Sequence, residues 1–292
     1  RSMFVRNVHE PQQVTFGSGF EKKVLLKKIS EMEDLPSLGA NVTNIINLLR
    51  DQNVAINDLV DAIERDQSLV AKLLKIINSA YYSLRSTVDS VERAILLLGI
   101  LKVKHVVYSA SIVDFYSDDH LVEWNHAYTS SSLVGKLMKE HAVAASNDLA
   151  LAMLMHDIGK VVLRRYSANR FKNATERALA DDIPLFQAEE IVIGIDHAAV
   201  GGMLLEKWEM PAVAHMAART HHGDEMPAEY GEAIALVQYA DWIDCQARSV
   251  KCLPPSKGMI RAAGLSDLDS SALIEQQRQF IEATEDTETA SA

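Results

Sequence analysis

A histidine and an aspartate stand side by side at His156-Asp157, directly after a run of seven apolar residues at 149–155. A wholly apolar run of this kind is typical of a helix buried on all sides, so it places the pair in the protein interior. Imidazole and carboxylate groups are costly to bury without partners, and one divalent cation suits both. Lys160 follows one helical turn after His156, within reach of a phosphate held by that cation. The stretch therefore predicts a metal site suited to phosphate chemistry.

Further candidate ligands lie on both sides of this pair. They are imidazoles and carboxylates in mainly apolar segments, and the full set is His126, His156, Asp157, His197, His221, His222 and Asp241. Seven ligands are too many for one ion and suit two ions about 3.5–4 Å apart, with Asp157 shared. Such ligands favour transition metals over calcium or magnesium, with iron or manganese as the first expectation and zinc or nickel as the second.

The same residues have a plainer interpretation as a polar core. A single buried histidine is more often a hydrogen-bonded core group than a metal ligand, so each residue taken alone favours the polar core. The order of all seven along the chain favours the metal site. The other histidines, among them His105, His141 and His215, are expected to be ordinary core or surface groups.

The elements that position these residues are predicted to be helices. Apolar residues recur at helical spacing in segments such as 59–63, 69–77 and 88–98, and almost no stretch alternates with the period of a strand. Asn57 is expected to cap one helix and Gly99 to end another. The chain is therefore predicted to be all-α, with two helical lobes.

Four regions are predicted along the 292 residues. Residues 1–33 hold an N-terminal segment and helix, and residues 34–116 form a first helical lobe. Residues 117–252 form a second lobe that carries the metal site. Residues 253–292 hold a last helix and an acidic tail that is expected to be disordered from Thr284 onward.

Composition fits a globular protein and limits its partners. Hydrophobic residues make up 48% of the chain and charged residues 24%. No apolar run approaches the roughly 20 residues of a membrane span, and no signal-peptide core follows Arg1, so a cytoplasmic location without membrane contact is expected. A net charge of −11 makes nucleic acid an unexpected partner. Cys245 and Cys252 do not form a C-x-x-C pair, so neither a disulfide framework nor a zinc knuckle is expected.

The order of the ligands, from His126 through His156-Asp157 to Asp241, resembles the HD superfamily of metal-dependent phosphohydrolases. By this resemblance all seven residues take metal-ligand positions, and Asp157 and Lys160 take catalytic positions in which Lys160 contacts phosphate. The branch of the superfamily that cleaves cyclic di-GMP follows its paired histidines with a segment ending in Gly-Tyr-Pro. Here the sequence is Gly223-Asp224-Glu225-Met226-Pro227, so the resemblance does not extend to recognition of that dinucleotide.

The first lobe resembles the HDOD domain, an HD-related output domain of bacterial signalling. The likeness covers about residues 30–240, and three segments of the first lobe carry it. They are Leu35-Pro36-Ser37-Leu38, Asn78-Ser79-Ala80-Tyr81-Tyr82, and Ser90-Val91-Glu92-Arg93-Ala94-Ile95 with Leu98-Gly99. Asn78 and Tyr81-Tyr82 have two interpretations, which are packing at a helix end and contact with a ligand or partner.

The HDOD resemblance implies a two-lobed helical fold whose second lobe is an HD-like bundle. It also implies a signal-output domain that acts through contacts with other signalling proteins, or with an upstream sensory or receiver domain. The alternative is a metal-dependent phosphodiesterase or phosphohydrolase that acts on nucleotides, cyclic nucleotides or cyclic dinucleotides. In both cases a nucleotide is a candidate ligand.

Overall fold

Helices are the regular elements of the described part of the chain. A computed structural model describes Lys27, 43–45, 47–48, 51, 53–78, 87–99, 103, 106–107, 110, 121–141, 148–223, 227 and 229–289. These residues contain helices and connections and no strand, which confirms the prediction of an all-α protein. Among them, no helix is both long enough and apolar enough to cross a lipid bilayer.

The first helix group consists of α1 (Ile56–Glu64), α2 (Gln67–Ile77) and α3 (Val91–Leu98). These helices contact one another, and buried side chains such as Leu59 and Ile63 form their shared core. Gly99 ends α3 as predicted, since its φ of 79° lies in the left-handed region that favours glycine. The prediction for Asn57 is wrong, because α1 begins one residue earlier and Ala55 is its N-cap.

The Asn78 side chain closes the connection between α2 and α3. Its amide nitrogen donates to the Val88 carbonyl oxygen at 2.8 Å, and the Val88 N–H donates to its amide oxygen at 2.7 Å. These two bonds hold the ends of the connection together, so the structure supports the packing interpretation of Asn78. Tyr81-Tyr82, Leu35-Pro36-Ser37-Leu38 and the helix predicted within residues 1–33 lie outside the described residues, Lys27 excepted.

The second helix group runs from Leu121 to Thr289. Its members are α4 (Leu121–His141), α5 (Leu149–Met155), α6 (Ile158–Tyr166), α7 (Ala168–Asp181), α8 (Leu185–Val192), α9 (His197–Lys207), α10 (Ala212–Thr220), α11 (Gly231–Ala247), α12 (Lys257–Ala262) and α13 (Ser270–Thr289). The apolar run forms α5, which contacts α4, α10 and α11. Leu149 and residues 151–155 are buried, which confirms the prediction of a helix enclosed by its neighbours.

The C-terminal helices pack on α11. Both α12 and α13 contact it, and α13 also contacts α4. Because α13 continues to Thr289, residues 284–289 are helical, which corrects the expectation of disorder from Thr284. Two of the six residues at 284–289 are glutamates, which are good helix formers, so the acidic composition is compatible with a helix. The four region boundaries given above stay predictions.

Candidate metal centre

The structure brings all seven predicted ligands together within the second helix group. Each comes from a helix or from a turn at a helix end. His126 lies on α4, His156 and Asp157 lie in the turn between α5 and α6, His197 is the first residue of α9, His221 and His222 follow α10, and Asp241 lies on α11. All are buried except His222, which is half-buried.

The first half-site consists of His126, His156, Asp157 and Asp241. The Nε2 atom of His126 lies 3.1 Å from Asp241 Oδ1 and 3.3 Å from His156 Nε2. The Nε2 atom of His156 lies 3.5 Å from Asp241 Oδ1 and 3.5 Å from Asp157 Oδ2. The Oδ2 atom of Asp157 is also 3.6 Å from His126 Nε2. Two imidazoles and two carboxylates therefore face one small volume.

The second half-site consists of Asp157, His197, His221 and His222. The other oxygen of Asp157, Oδ1, lies 3.2 Å from His197 Nε2 and 3.6 Å from His221 Nε2. The Nε2 atom of His222 lies 2.9 Å from that of His197. One atom from each of these four residues lies within 4.8 Å of the others, a grouping that could hold a metal ion. Asp157 is thus shared, with one oxygen in each half-site.

Four of the five imidazoles are fixed in one orientation by an oxygen acceptor at Nδ1. Carbonyl and carboxylate oxygens only accept hydrogen bonds, so each Nδ1 carries the hydrogen and each neutral ring has its lone pair at Nε2. This support is typical of metal-ligating histidines. The pairs are His126 with Asp244 at 2.8 Å, His156 with the Met153 carbonyl at 2.6 Å, His197 with Glu189 at 2.6 Å, and His221 with the Ala218 carbonyl at 2.8 Å.

The polar atoms that face the centre lack enough hydrogens to satisfy one another. His126 and His156 point Nε2 at each other across 3.3 Å. Asp157 Oδ1 and His221 Nε2 are buried, and neither makes a hydrogen bond within the described part of the chain. Separations of 3.1–3.6 Å in the first half-site are close to the roughly 3.0–3.4 Å between neighbouring ligands that are 2.1 Å from a shared ion. The residues present therefore fit bound transition metal.

Electrostatics within the cluster separate the histidines into two classes. Burial lowers the pKa of His126, but hydrogen bonds to Asp241 and Asp244 outweigh it and raise the pKa to about 10. Burial also lowers the pKa of His197, but the negative charge of Glu189 outweighs it and raises the pKa of His197 to about 9. Burial lowers the pKa of His221 and, together with the neighbouring imidazoles, lowers that of His222 further. Without metal, protons on some rings therefore take the place of the cation.

Stability of the metal-free protein is expected to fall as the pH rises from neutral to alkaline. The folded-state pKa values of His126 and His197, about 10 and about 9, exceed the ordinary value of 6.5. Their protonation contributes fully to the free energy of unfolding below pH 6.5. This contribution is lost as the pH rises through 9 and 10, because the folded state then releases the protons that it had retained on these two rings. Melting temperatures of chelated protein between pH 6.5 and 9.5 should show this decline.

Metal should reverse that trend, since metal and protons compete for the same Nε2 atoms. The gain in melting temperature from buffered manganese is therefore expected to grow over the same pH range. A melting temperature of the chelated protein that is constant or rises with pH would contradict the assignment of protons to these two rings.

Two glycines let α6 and α9 approach closely enough to bring His197 to Asp157. A Cβ atom on Gly159 would lie 2.0 Å from the His197 carbonyl oxygen and 2.7 Å from the Gly201 nitrogen. A Cβ atom on Gly201 would in turn lie 3.2 Å from the Gly159 nitrogen. Because backbone atoms rather than side chains fill this space, the crossing requires glycine at position 159.

Supporting residues that the sequence reasoning missed surround the ligands. Asp244 accepts hydrogen bonds from His126 and from Gln277 of α13, the latter at 2.5 Å. Glu189, fully buried, accepts from both the backbone N–H and the ring of His197. Asp244 could have been found, since it lies one turn after Asp241 in the same apolar segment. Glu189 has no comparable signal.

The His221-His222 turn is held from two sides. The amide nitrogen of Gln238 donates to the Thr220 carbonyl at 3.0 Å and to the Gly223 carbonyl at 2.6 Å, which brackets the two histidines. The His222 ring also stacks on Phe186, with ring centroids 4.4 Å apart. The turn that supplies two ligands is thus fixed by contacts from α8 and α11.

Comparison with known proteins decides the family. The sequence matches the HDOD domain family over residues 35–223. This chain belongs to the HDOD family. The match includes six of the predicted ligands and ends at Gly223, so Asp241 of this HDOD chain lies beyond it.

Known proteins resemble this HDOD chain at low sequence identity. An uncharacterized protein of Treponema pallidum is 25% identical over 248 residues, which cover 82% of this chain and 47% of the relative. The chain therefore spans about half the length of that curated relative. An HDOD domain protein of unknown function from Geobacter sulfurreducens has a TM-score of 0.76 at 22% identity, covering 92% of this chain and 97% of its own.

Two further solved structures have the same helical fold. A protein from Marinobacter aquaeolei, provisionally described as a signal transduction protein, has a TM-score of 0.72 at 21% identity, covering 93% of this chain and 65% of its own. A protein from Shewanella amazonensis, provisionally described as a metal-dependent phosphohydrolase, has a TM-score of 0.53 at 17% identity, covering 89% and 99%. These likenesses establish an HD-like helical fold for this chain.

Proposed function

We propose that this HDOD chain is a cytoplasmic signal-output domain whose second helix group binds two divalent transition-metal ions and a phosphate-bearing ligand such as a nucleotide. One observation carries the proposal. The Asp157 carboxylate has one oxygen in each half-site, and the imidazoles around it aim their Nε2 atoms at the same volume. With neutral rings, this cluster places acceptor atoms opposite one another, whereas a polar core would pair donors with acceptors.

The two ions would be held by the two half-sites. His126, His156, Asp157 and Asp241 would hold one, and Asp157, His197, His221 and His222 the other. Nitrogen and carboxylate ligands favour iron or manganese first, with zinc or nickel as alternatives. Bound ions would supply the positive charge that attracts and polarises phosphoryl oxygens.

Lys160 has the position of a phosphate contact. Its Nζ atom donates to Asp157 Oδ2 at 2.5 Å, and the side chain is 19% exposed at the edge of the centre. Burial lowers the pKa of Lys160, but the charge of Asp157 outweighs it and raises the pKa, so the ammonium stays charged. It can donate further hydrogen bonds toward a ligand while it holds the shared carboxylate in place.

A direct chain of hydrogen bonds supports a role in signal output. His126 is hydrogen-bonded to Asp244, and Asp244 accepts a hydrogen bond from Gln277. Helix α13 therefore contacts the carboxylate that orients the candidate ligand His126. Occupancy of the centre can shift the protein only if the ligand binds two arrangements with different affinity. The partners we propose are other signalling proteins or a sensory or receiver domain. The signal-transduction description of the Marinobacter protein agrees with this role.

Hydrolysis is the second candidate function, and the contact between Lys160 and Asp157 favours it. A metal-dependent phosphodiesterase or phosphohydrolase requires a full set of metal ligands with a shared carboxylate, and a positively charged side chain beside the ions helps to bind the phosphate. Here Lys160 is that side chain. Asp157 and Lys160 would then be catalytic residues that position the ions and contact the phosphate. The description of the Shewanella protein as a metal-dependent phosphohydrolase agrees with this candidate.

Substituting Lys160→Gln tests the phosphate site. Metal-loaded protein is titrated with nucleotides, cyclic dinucleotides and a generic phosphodiester, and both binding and product formation are measured. Loss of a charged hydrogen bond, about 1.5–3 kcal/mol, is expected to weaken binding of the recognised compound about 10- to 100-fold. Lys172→Gln, at an exposed lysine of α7, is the matched control.

The outcomes separate the two candidates. Binding without product supports signal output alone, and product formation that falls in Lys160→Gln supports hydrolysis. Equal affinity of the wild type and Lys160→Gln for every bound compound would contradict the role of Lys160. Failure of metal-loaded protein to bind any phosphate compound would contradict the proposed ligand class.

A further inference from the structure

The end of α11 carries two cysteines on a tight reversal of the chain. Ser249 has a φ of 57°, in the left-handed region. The Ser249 N–H donates to the Gln246 carbonyl at 3.1 Å, and the Val250 N–H donates to the Cys245 carbonyl at 2.8 Å. This pair of bonds is the Schellman motif that ends many helices. It turns the chain back over the last turn of α11, so that Cys252 returns toward Cys245.

The two thiols lie next to each other after this reversal. Gln246 donates from its amide nitrogen to Cys252 Sγ at 3.5 Å. The interaction between the two thiols raises the pKa of Cys245 and lowers the pKa of Cys252. Both cysteines are free and half-buried.

One of the thiols also contacts the first half-site. The Cys245 thiol donates to Asp241 Oδ1 at 3.5 Å, the same oxygen that lies 3.1 Å from His126 Nε2. His126, Asp241 and Cys245 each place a metal-binding atom within 4.8 Å of the others. A change at the Cys245 sulfur therefore acts directly on a candidate ligand.

We propose that Cys245 and Cys252 form an oxidisable thiol pair whose disulfide weakens metal binding at the first half-site. The oxidant is a hydroperoxide, with hydrogen peroxide as the simplest case. One thiolate attacks a peroxide oxygen, the O–O bond breaks, and a sulfenic acid and hydroxide form. The second sulfur attacks the sulfenic sulfur, water leaves, and the S–S bond forms. Overall, two thiols and one hydrogen peroxide give one disulfide and two waters.

The effect of the disulfide on metal affinity follows from the loss of the Cys245 S–H hydrogen. As a disulfide, Cys245 has no S–H to donate to Asp241, and its sulfur is drawn toward the reversed segment. Loss of an interaction that orients a metal ligand typically reduces metal affinity 10- to 100-fold. This consequence rests on the proposed metal centre, whereas disulfide formation itself does not.

Tryptic mapping detects the bond directly, because trypsin cuts between the two cysteines after Arg248 and Lys251. Full-length protein, freed of metal to prevent side reactions, is treated with a small excess of hydrogen peroxide, digested without reductant, and analysed by mass spectrometry. We expect a linked pair of peptides, 220–248 and 252–257, that dithiothreitol separates. Cys252→Ser should give no linked pair. Oxygen adducts on single cysteines in place of the linked pair would overturn the proposal.

Zinc affinity is then compared for reduced and oxidised protein, since zinc has no redox chemistry of its own. The oxidised wild type should lose about tenfold in affinity at one of two sites and recover it with dithiothreitol. Cys252→Ser, which lacks the bond but keeps Cys245, should bind zinc equally before and after peroxide. If the wild type forms the disulfide and its zinc affinity does not change, the proposed effect of the disulfide on the first half-site is wrong. Reduced protein that binds no zinc would instead contradict the metal centre.

Discussion

Replacing Asp157 with Asn is expected to abolish the stabilisation of this protein by transition metal. The carboxylate supplies one oxygen to each half-site, so the neutral amide weakens both at once. The amide N–H₂ would also aim donor hydrogens at positions that a cation must occupy. No other single substitution among the seven residues affects both half-sites directly, because the other six each belong to one.

The size of the effect follows from linkage between binding and folding. A metal present at 100 times its dissociation constant stabilises the native state by about 2.7 kcal/mol. For a chain of this size that corresponds to a rise in melting temperature of roughly 5–10 °C. The wild type should show this rise on addition of manganese or iron, and Asp157→Asn should show none.

Asp182→Asn is the matched control, since it makes the same chemical change at an exposed carboxylate whose recorded ion pair is with Lys251. The gain with metal, rather than the melting temperature of the metal-free variant, is the quantity to compare. Removal of the Asp157 charge also leaves Lys160 without its buried partner and lowers stability on its own. A full gain in Asp157→Asn would show that the shared carboxylate does not hold the ions.

The second large effect is expected for Gly159→Ala, a change of one methyl group outside the ligand set. The new Cβ would meet the His197 carbonyl oxygen at 2.0 Å and the Gly201 nitrogen at 2.7 Å. Backbone atoms cannot rotate away, so α6 and α9 must separate, and His197 moves with its helix. Overpacking of this kind costs about 1–3 kcal/mol and occasionally more. Thermal unfolding of the chelated protein measures this loss.

Metal titration of the same variant measures the displacement of His197. We expect the second half-site to lose affinity while the first half-site, whose ligands do not lie on α9, loses less. Gly135→Ala is the control, because a Cβ there meets nothing within 4 Å and alanine favours a helix by about 1 kcal/mol over glycine. A variant at Gly159 that is as stable as Gly135→Ala would contradict the close crossing.

The predictions that succeeded rest on strong local signals. An apolar run of seven residues is typical of a buried helix when the neighbouring segments have helical spacing, and α5 is one. The seven imidazoles and carboxylates could be selected because such groups are conspicuous inside apolar segments, and the structure brings them together. Their role as metal ligands stays a prediction. Two ions were expected because seven ligands are too many for one, and the two oxygens of Asp157 do face different histidines.

The features that the sequence did not reveal depend on contacts distant in sequence or on competing local preferences. Asn57 is a good capping residue, but α1 starts before it and leaves it inside the first turn. Glu189 lies in an ordinary amphipathic helix, and only the folding of α8 against α9 brings it to His197. The contact of Gln277 with Asp244 joins residues 33 positions apart, and no spacing rule connects them.

Elemental analysis of the reconstituted protein tests the central claim most directly. The full chain is loaded anaerobically with iron(II) or manganese(II), freed of excess metal by gel filtration, and assayed for metal and protein. We predict two transition-metal ions per chain in the wild type and none in Asp157→Asn. A wild-type protein that retains no transition metal would contradict the account, and the seven residues would then form a hydrogen-bonded polar core.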